Sequence, residues 1–241
     1  MIALLASVDA ETEILLNEIE VAGTVTVGST SLLEGTLRGR RVALCTGGMG
    51  KVNAAHAATL LLTRFAPSSI VVFGVGGAYP SSGARIGDVV LAHEEIAGDE
   101  GVLTNEGFKD TEFIGIPLLK TTNATIYNTY PAPKSLLEPA LRTLRDRELF
   151  DNLRVGPFVT LSTCTGTAAR ARELEECYHG LCENMEGAAV AQVAELHRTP
   201  WLELRGISNI VDDRDPSKWD IPRAARAAQH AVIRIVEAWK P

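Results

Sequence analysis

The sequence has no run of basic residues, no CxxC pair, no internal repeat and no apolar stretch of membrane-spanning length, and each absence excludes a class of function. Lys and Arg number 23 against 30 Asp and Glu, a formal net charge of −7, and an acidic chain without a basic stripe makes a poor nucleic-acid surface. The four cysteines, Cys45, Cys164, Cys177 and Cys182, show no zinc spacing and no disulfide framework, so they read as reduced thiols of a cytoplasmic protein with no metal. Apolar runs stay short of the ~20 residues that a membrane span needs. The opening "MIALLASVDAETE" has no basic residue before its apolar run and acids directly after it, which reads as a strand rather than a signal peptide. Neither a dinucleotide fingerprint nor a Walker loop is present: "GGMGK" (47–51) lacks the G-x-G-x-x-G spacing and no Ser or Thr follows its Lys.

What is there is an ordinary globular composition, 46% hydrophobic and 22% charged, on 241 residues without an internal linker, so one domain spanning 1–241 is expected. Buried strands are expected at 2–7, 41–47, 68–77, 87–96, 157–163 and 200–211, and helices at 50–65, 184–198 and 221–239. In the last helix Ala224, Ala227, Ala228, Ala231, Val232, Ile235, Val236 and Trp239 form one apolar stripe. Strands followed by helices across glycine turns predict an α/β fold: a three-layer αβα domain around a central mixed, twisted sheet. The Asn/Thr/Pro-rich segment 104–134 is the least regular, and is expected to be an insertion over the end of the sheet where ligand-contacting loops lie.

Several residues sit where packing alone does not account for them. Two glycine turns after strands, "TGGMGKVNAA" (46–55) and "GVGGAYPSSG" (74–83), let backbone approach a ligand, with Gly76 and Gly77 as the candidate contacts. Glu11 and Glu13 follow the first strand, either as ligand-facing acids or as solvated residues of a first helical turn. Glu186 stands among small and apolar neighbours in "ENMEGAA" (183–189), where an acid needs a partner or a ligand. Ser208 and Asn209 interrupt the apolar strand "RGISNIV" (205–211). Cys164 is a candidate nucleophile without a recognisable histidine partner, and His56 and His93 read as packed or solvent-facing. Asp212, Asp213, Arg214 and Asp215 read as a solvated loop, with Trp219 stapling the last helix.

"GMGKVNAA", "GVGG", "RIGDVV", "ENMEGAAVA" and "RGISN" occur in that order over most of the chain. In this order and spacing they resemble the nucleoside phosphorylase and nucleosidase family that includes 5'-methylthioadenosine/S-adenosylhomocysteine nucleosidase. The tail "SNIVDDRDPSKWDIP" (208–222) resembles, within it, hydrolases of a 6-oxopurine nucleoside whose 5' end carries a carboxylated aromatic ring. The resemblance implies a small-molecule nucleoside as substrate, no cofactor, and a homo-oligomer whose interface the apolar helices could supply. It puts Glu186, with Asn184 and Met185, at the ribose; Glu11 at the water, with Glu13 as the alternate base; and Ser208 with Asn209 at the purine. Gly166, in "LSTCTGT" (161–167), falls where an aromatic usually stacks on the base.

Asn209 then has a chemical reading. Breaking an N-glycosidic bond leaves negative charge on the purine, so N7 must be protonated or hydrogen-bonded as the bond stretches. An aspartic acid at this position suits adenine, giving a proton to N7 and accepting from the 6-amino group. A 6-oxopurine offers an acceptor there instead, which an amide can meet by donating to O6 while its oxygen accepts from N7–H. The acids after the first strand, with Arg64 and Arg85 the nearest cations to a glycine turn, favour water over phosphate as the attacking group. Left open are a 6-oxopurine phosphorylase, an adenine-specific nucleosidase, and a nucleoside-binding protein without catalysis.

Overall fold

Strand β1 (Ile2–Ala6) shows in five residues how the chain is layered. Ile2, Leu4 and Ala6 bury into one apolar cluster, and Ala3 and Leu5 into another on the opposite face. Successive side chains of a strand point to opposite sides, so a strand buried on both lies in the middle layer of three. The computed structural model describes residues 1–122, 124–145 and 152–239 and has that architecture. Position 123 of the polar segment and the last two positions of the expected domain lie outside the described residues.

After β1 come a short helix α1 (Glu13–Glu18), a hairpin of β2 (Glu20–Val27) and β3 (Thr30–Leu37), then β4 (Arg40–Thr46) and α2 (Lys51–Phe65). Strands β5 (Ser69–Ala78) and β6 (Val89–Ala97) follow. Small elements come next: β7 (Gly101–Thr104), β8 (Gly107–Asp110), α3 (Thr111–Ile114), β9 (Leu119–Lys120), β10 (Thr125–Ile126) and β11 (Thr129–Pro131). Helix α4 (Lys134–Leu144), β12 (Arg154–Thr160), α5 (Ala168–Tyr178) and β13 (Cys182–Asn184) lead to α6 (Gly187–Leu196), β14 (Trp201–Ile210) and α7 (Ile221–Ala238). Every strand and helix expected from the sequence is present, with ends shifted by a few residues; the β2–β3 hairpin, α4, α5 and β13 are additional.

Strand β1 runs parallel to both β4 and β5, and β5 parallel to β14. Strand β14 also pairs antiparallel with β6, β6 pairs with β12, β12 with β13, and β13 returns to β5. Five strands thus close a ring, while β1, β4, β3 and β2 open out from β5 as a wing. Helices α1, α4 and α7 cover one face, α2 and α6 the other. The stripe of α7 is directed inward, with Ala224, Ala228, Ala231, Val232, Ile235 and Val236 all buried. It packs on the chain's own sheet.

The polar segment departs from expectation. Its β11 adds to the outer edge of the sheet against β6, with Thr129 opposite Ile96, and Tyr130 buries in the cluster that α2 and α6 cover. The buried Asn128 amide donates to the carbonyls of Ala97 and Glu100 and accepts from Thr111, which fastens the excursion to that edge. None of its described residues lines the cavity described next.

Candidate active site

Because β1, β4, β5 and β14 run parallel, their carboxyl ends meet at one end of the sheet, where open α/β sheets take ligands. A cavity of about 260 Å³ lies there, bordered by Ser7 after β1, Met49 after β4, Gly76 of β5 and Ser208 of β14. Ligand pockets usually run to about 300–1,000 Å³, so this one is of the size that takes a small molecule. A larger cleft of about 500 Å³ between α4 and α7 has, among the described residues, Arg142 as its one charged side chain and no acid or base for catalysis.

Beyond β1 a single tight turn, Asp9–Glu11, folds Glu11 back over the strand end, where it is 2% exposed. One carboxylate oxygen accepts the N–H groups of Ser7 and Val8 at 2.9 and 3.1 Å, and the other accepts that of Val75 at 2.7 Å. A carboxylate has about four lone-pair positions, so three bonds fix its orientation and leave one acceptor position for a water. Gly74 makes this close approach feasible, since a Cβ there would run into the Glu11 carboxylate. Glu13 is exposed and borders a separate surface hollow beside α7; the structure does not bring it to the cavity.

Glu186 precedes the first turn of α6 and is 5% exposed. Its Oε1 accepts the N–H of Gly50 at 2.8 Å and its Oε2 accepts from Arg205 Nη1 at 3.2 Å. Gly50 reaches it with a φ of 94°, a backbone region that favours glycine. The turn 47–50 therefore touches the acid, and Met49 is its side chain on the cavity wall. Met185 also lines the cavity, with its sulfur 3.1 Å from Cys164 Sγ. Asn184 borders the cavity too. Its oxygen accepts the N–H groups of Glu186 and Gly187 at 2.9 and 2.7 Å, and its nitrogen donates to Glu95 Oε1 at 2.8 Å. Asn184 shapes the turn that presents Glu186, and its second amide hydrogen is left for a ligand in the cavity that it borders.

Ser208 and Asn209 owe their place at the cavity to a β-bulge. Ile207 pairs with Gly76 and Asn209 with Gly77, so Ser208 is the extra residue, and the strand re-aims both polar side chains toward the cavity. The Ser208 hydroxyl lies 2.8 Å from Asn209 Oδ1 and 3.2 Å from the Gly76 carbonyl. Asn209 Nδ2 donates to the Ile210 carbonyl at 3.2 Å, which leaves one amide hydrogen and one lone pair on the oxygen for a ligand. Gly76 and Gly77 make room beside them: a Cβ on Gly76 would strike Cys182 Sγ, and one on Gly77 would meet Val211 at 2.8 Å.

Four groups take on roles that no sequence motif assigns. Glu183, at the end of β13, lines the cavity; burial pushes its carboxyl above the usual carboxylate range, although bonds from Thr165 and Tyr79 pull the other way. Arg205 is 1% exposed; burial opposes its charge, but Glu203, Glu186 and Glu11 together outweigh that and hold its pKa above the ordinary guanidinium value. Trp219, two residues ahead of α7, borders the cavity together with Ile221 of that helix. Its ring lines the cavity with the Arg214 guanidinium over it at 4.6 Å, and Arg214 meets no carboxylate within 4.0 Å among the described residues. Glu203 and Arg205 have a signal in the sequence, because "WLELRG" (201–206) alternates Glu203 and Arg205 with leucines in a central strand.

Gly166 is exposed, and the nearest neighbour to a Cβ built there is Arg214 Cδ at 3.9 Å, so Arg214 stands beside the position where the family resemblance puts an aromatic. The loop around it is anchored by acids: Ser162 N–H to Asp99, Thr165 N–H to Glu183 and Ala168 N–H to Asp213. Asp213 is exposed, as expected of a solvated loop, and also tethers the start of α5. No histidine lines the cavity, and Cys164 has none beside it there. Among the described residues no group of His, Cys, Asp and Glu is set to hold a metal, and no helix is long and apolar enough to cross a membrane.

Oriented carboxylates and an amide around a cavity, without a nucleophile and its base, equip a protein for attack by water on a bound ligand. The enzyme class that this fold and site define is the nucleoside N-glycosyl hydrolase. The chain belongs to the phosphorylase superfamily, which it matches over residues 1–238. It is 37% identical over 176 residues to a futalosine hydrolase of Streptomyces coelicolor, covering 71% of this chain and 68% of that one. It is 29% identical to a 5'-methylthioadenosine/S-adenosylhomocysteine nucleosidase of Maridesulfovibrio salexigens over 99% of this chain and 98% of the relative. The crystal structure of the corresponding Neisseria meningitidis nucleosidase with methylthio-immucillin-A superposes with a TM-score of 0.86 at 26% identity, covering 99% of each chain.

Proposed function

We propose that this enzyme hydrolyses futalosine, releasing hypoxanthine and leaving dehypoxanthine futalosine, a step of menaquinone biosynthesis in the cytoplasm. The observation that carries the reading is Asn209, whose amide borders the cavity with one hydrogen and one lone pair to offer. In this reading the hydrogen meets O6 and the oxygen meets N7–H of a departing hypoxanthine. Glu11 takes the proton of the attacking water, and Glu186 holds the ribose hydroxyls while positive charge builds on the sugar. Ser208, Gly76, Gly77 and Met185 complete the walls. The Streptomyces coelicolor relative supports the substrate. No cofactor enters this chemistry. A homo-oligomer belongs to the proposal, with exposed Leu103, Phe113 and Ile116 as the apolar surface available to it.

Water is favoured over phosphate because Glu11 and Glu186 set negative charge where an anion would have to bind, and Arg214, the uncommitted cation lining the cavity among the described residues, lies over Trp219. Arg205 is held by Glu203 and Glu186, Arg64 lies over Phe65, and Arg85 is exposed near Asp88. A second reading, an adenine-releasing 5'-methylthioadenosine/S-adenosylhomocysteine nucleosidase, draws on the full-length likeness to such enzymes. Chromatography of the products from futalosine, methylthioadenosine and inosine, each with and without phosphate, separates the readings. Hypoxanthine from futalosine, indifferent to phosphate, is the expected result. Adenine from methylthioadenosine would establish the second reading, phosphate dependence a phosphorylase, and binding without any base released a non-catalytic protein.

The 5' carboxyphenyl group has a place in the same proposal. Arg214 is the uncommitted cation of a cavity otherwise rich in acids, and Trp219 supplies an aromatic surface next to it. A guanidinium pairs well with a carboxylate, and a hydrogen bond to a charged group contributes about 1.5–3 kcal/mol. Arg214→Met is expected to raise KM for futalosine about tenfold. The value for inosine, which lacks the carboxylate, should stay nearly constant; an equal rise for both would remove Arg214 from that role.

A further inference from the structure

Beneath the cavity lie two acids that the reaction does not touch. Glu95 of β6 and Glu203 of β14 are both 0% exposed. Glu203 Oε1 accepts from Arg205 Nε at 2.8 Å, but its Oε2 meets no N–H or O–H donor among the described residues. Glu95 is its neighbour: a Cβ added to Gly187 would collide with Glu203 Oε2 and with Glu95 Oε1 alike. Two buried carboxylates cannot stay side by side fully charged, and a buried acceptor without a donor is costly. One proton on Glu95, donated to Glu203 Oε2, removes both difficulties.

This pair supports Glu186 from two directions. Glu203 holds Arg205, whose Nη1 bonds Glu186 Oε2 and the Val75 carbonyl, each at 3.2 Å. Glu95 accepts from Asn184 at 2.8 Å and from the Thr160 hydroxyl at 2.7 Å. Asn184 in turn accepts the N–H of Glu186, and the Thr160 oxygen accepts that of Ala188 at 2.8 Å, so the turn into α6 rests on Glu95. We propose that Glu95 and Glu203 share a single proton and act as a positioning pair, holding Arg205 and the 184–188 turn so that Glu186 meets the sugar.

Charge balance follows from the arrangement. With one proton on the pair, Arg205 has one carboxylate behind it and Glu186 in front. Loss of that proton adds a buried negative charge that draws Arg205 inward and away from Glu186. Burial, with Glu203 next in effect, holds the Glu95 carboxyl well above the ordinary carboxylate range. The other titratable or charged groups facing the pair are Arg205 of β14, the Cys182 thiol of β13, itself raised by burial, and Glu186 ahead of α6.

The pair needs only the N-glycosyl hydrolase class, not the identity of the substrate. Glu203→Gln keeps the shape and the charge of the singly protonated pair: its oxygen still accepts from Arg205 Nε, its NH₂ stands in for Oε2 and donates to Glu95 at every pH, and the bonds from Asn184 and Thr160 to Glu95 are kept. Infrared spectra of wild type and Glu203→Gln at pH 7 are expected to differ by one buried carboxylic-acid carbonyl band, present in the wild type alone. With futalosine or methylthioadenosine, whichever is hydrolysed, Glu95→Ala is expected to lower kcat/KM on the order of 10- to 100-fold, and Glu203→Gln to stay within a few-fold of the wild type. An alkaline decline present in the wild type should be absent from Glu203→Gln. An infrared spectrum unchanged by Glu203→Gln overturns the shared proton. A Glu203→Gln enzyme as impaired as Glu95→Ala overturns the positioning role. Failure of futalosine with success of methylthioadenosine leaves both readouts in force and corrects the substrate alone.

Discussion

Glu11→Gln is expected to lower kcat by about 10²- to 10⁴-fold, the range that a positioned general base contributes. The geometry states why the change is severe although the shape is kept. Three backbone N–H groups point at the two oxygens of Glu11. A glutamine must set its NH₂ against at least one of them, so a donor loses its acceptor as the base is lost. That mismatch costs about 1–3 kcal/mol, and a lower thermal midpoint should accompany the lost rate. Ligand affinity should change far less, because the ribose and base contacts proposed for Glu186 and Asn209 remain. Single-turnover rates and calorimetric binding on the same preparation separate the two effects. A variant that turns over at the wild-type rate would show that another group activates water, and Glu13, exposed on another surface, is no substitute.

Asn209→Asp is expected to exchange one base for another. In the proposed reading the amide hydrogen of the wild type meets O6, and in the variant a carboxylate faces that oxygen. Sites built to hydrogen-bond one edge reject an analogue that leaves polar groups unpaired by about 10⁴-fold or more in favourable cases. Hypoxanthine release should fall by about 10³-fold, a smaller factor because Ser208 and Glu183 still border the base end. Adenine release from methylthioadenosine should rise, since a carboxylic acid can give its proton to N7 and accept from the amino group. The ratio of the two kcat/KM values is the quantity to measure. A variant that loses both activities equally would mean that Asn209 supports the bulge rather than selecting the base.

Both changes concern residues that the amino-acid sequence alone singles out, for different physical reasons. Glu11 is legible because it follows a buried strand that must end at the carboxyl edge of a parallel sheet. Asn209 is legible because two polar groups interrupt an apolar run, and the bulge at Ser208 is what that interruption becomes. The layers are legible in the same way, from strands apolar on both faces such as Ile2–Ala6. Sequence patterns fail where function depends on residues far apart in the chain. Glu95 and Glu203 form a pair only because β14 inserts beside β6, and no local pattern states that pairing. Asn184 looks like a ligand contact from its place beside Glu186, but its bonds to Glu95 and the turn are not legible there. The 104–134 segment looks like a cavity loop from its polarity, but β11 and Asn128 bind it to the sheet edge. Trp219 looks like a staple from its proximity to α7, and its place beneath Arg214 at the cavity does not follow from that proximity.

The ring of β5, β14, β6, β12 and β13 also orders events in time. Strand β14 pairs Trp201 with Ile70 and Leu204 with Leu91, so both its partners are made long before it is. Pairings between segments so distant in sequence form slowly, because the chain must close a long loop before any contact rewards it. Arg205, Ser208 and Asn209 travel on that strand, and α7, which packs on it, is made later still. A chain emerging from the ribosome can therefore assemble the wing that holds Glu11 while lacking the base end altogether. Ligand recognition and completion of the fold arrive together, with the last strand to enter the ring.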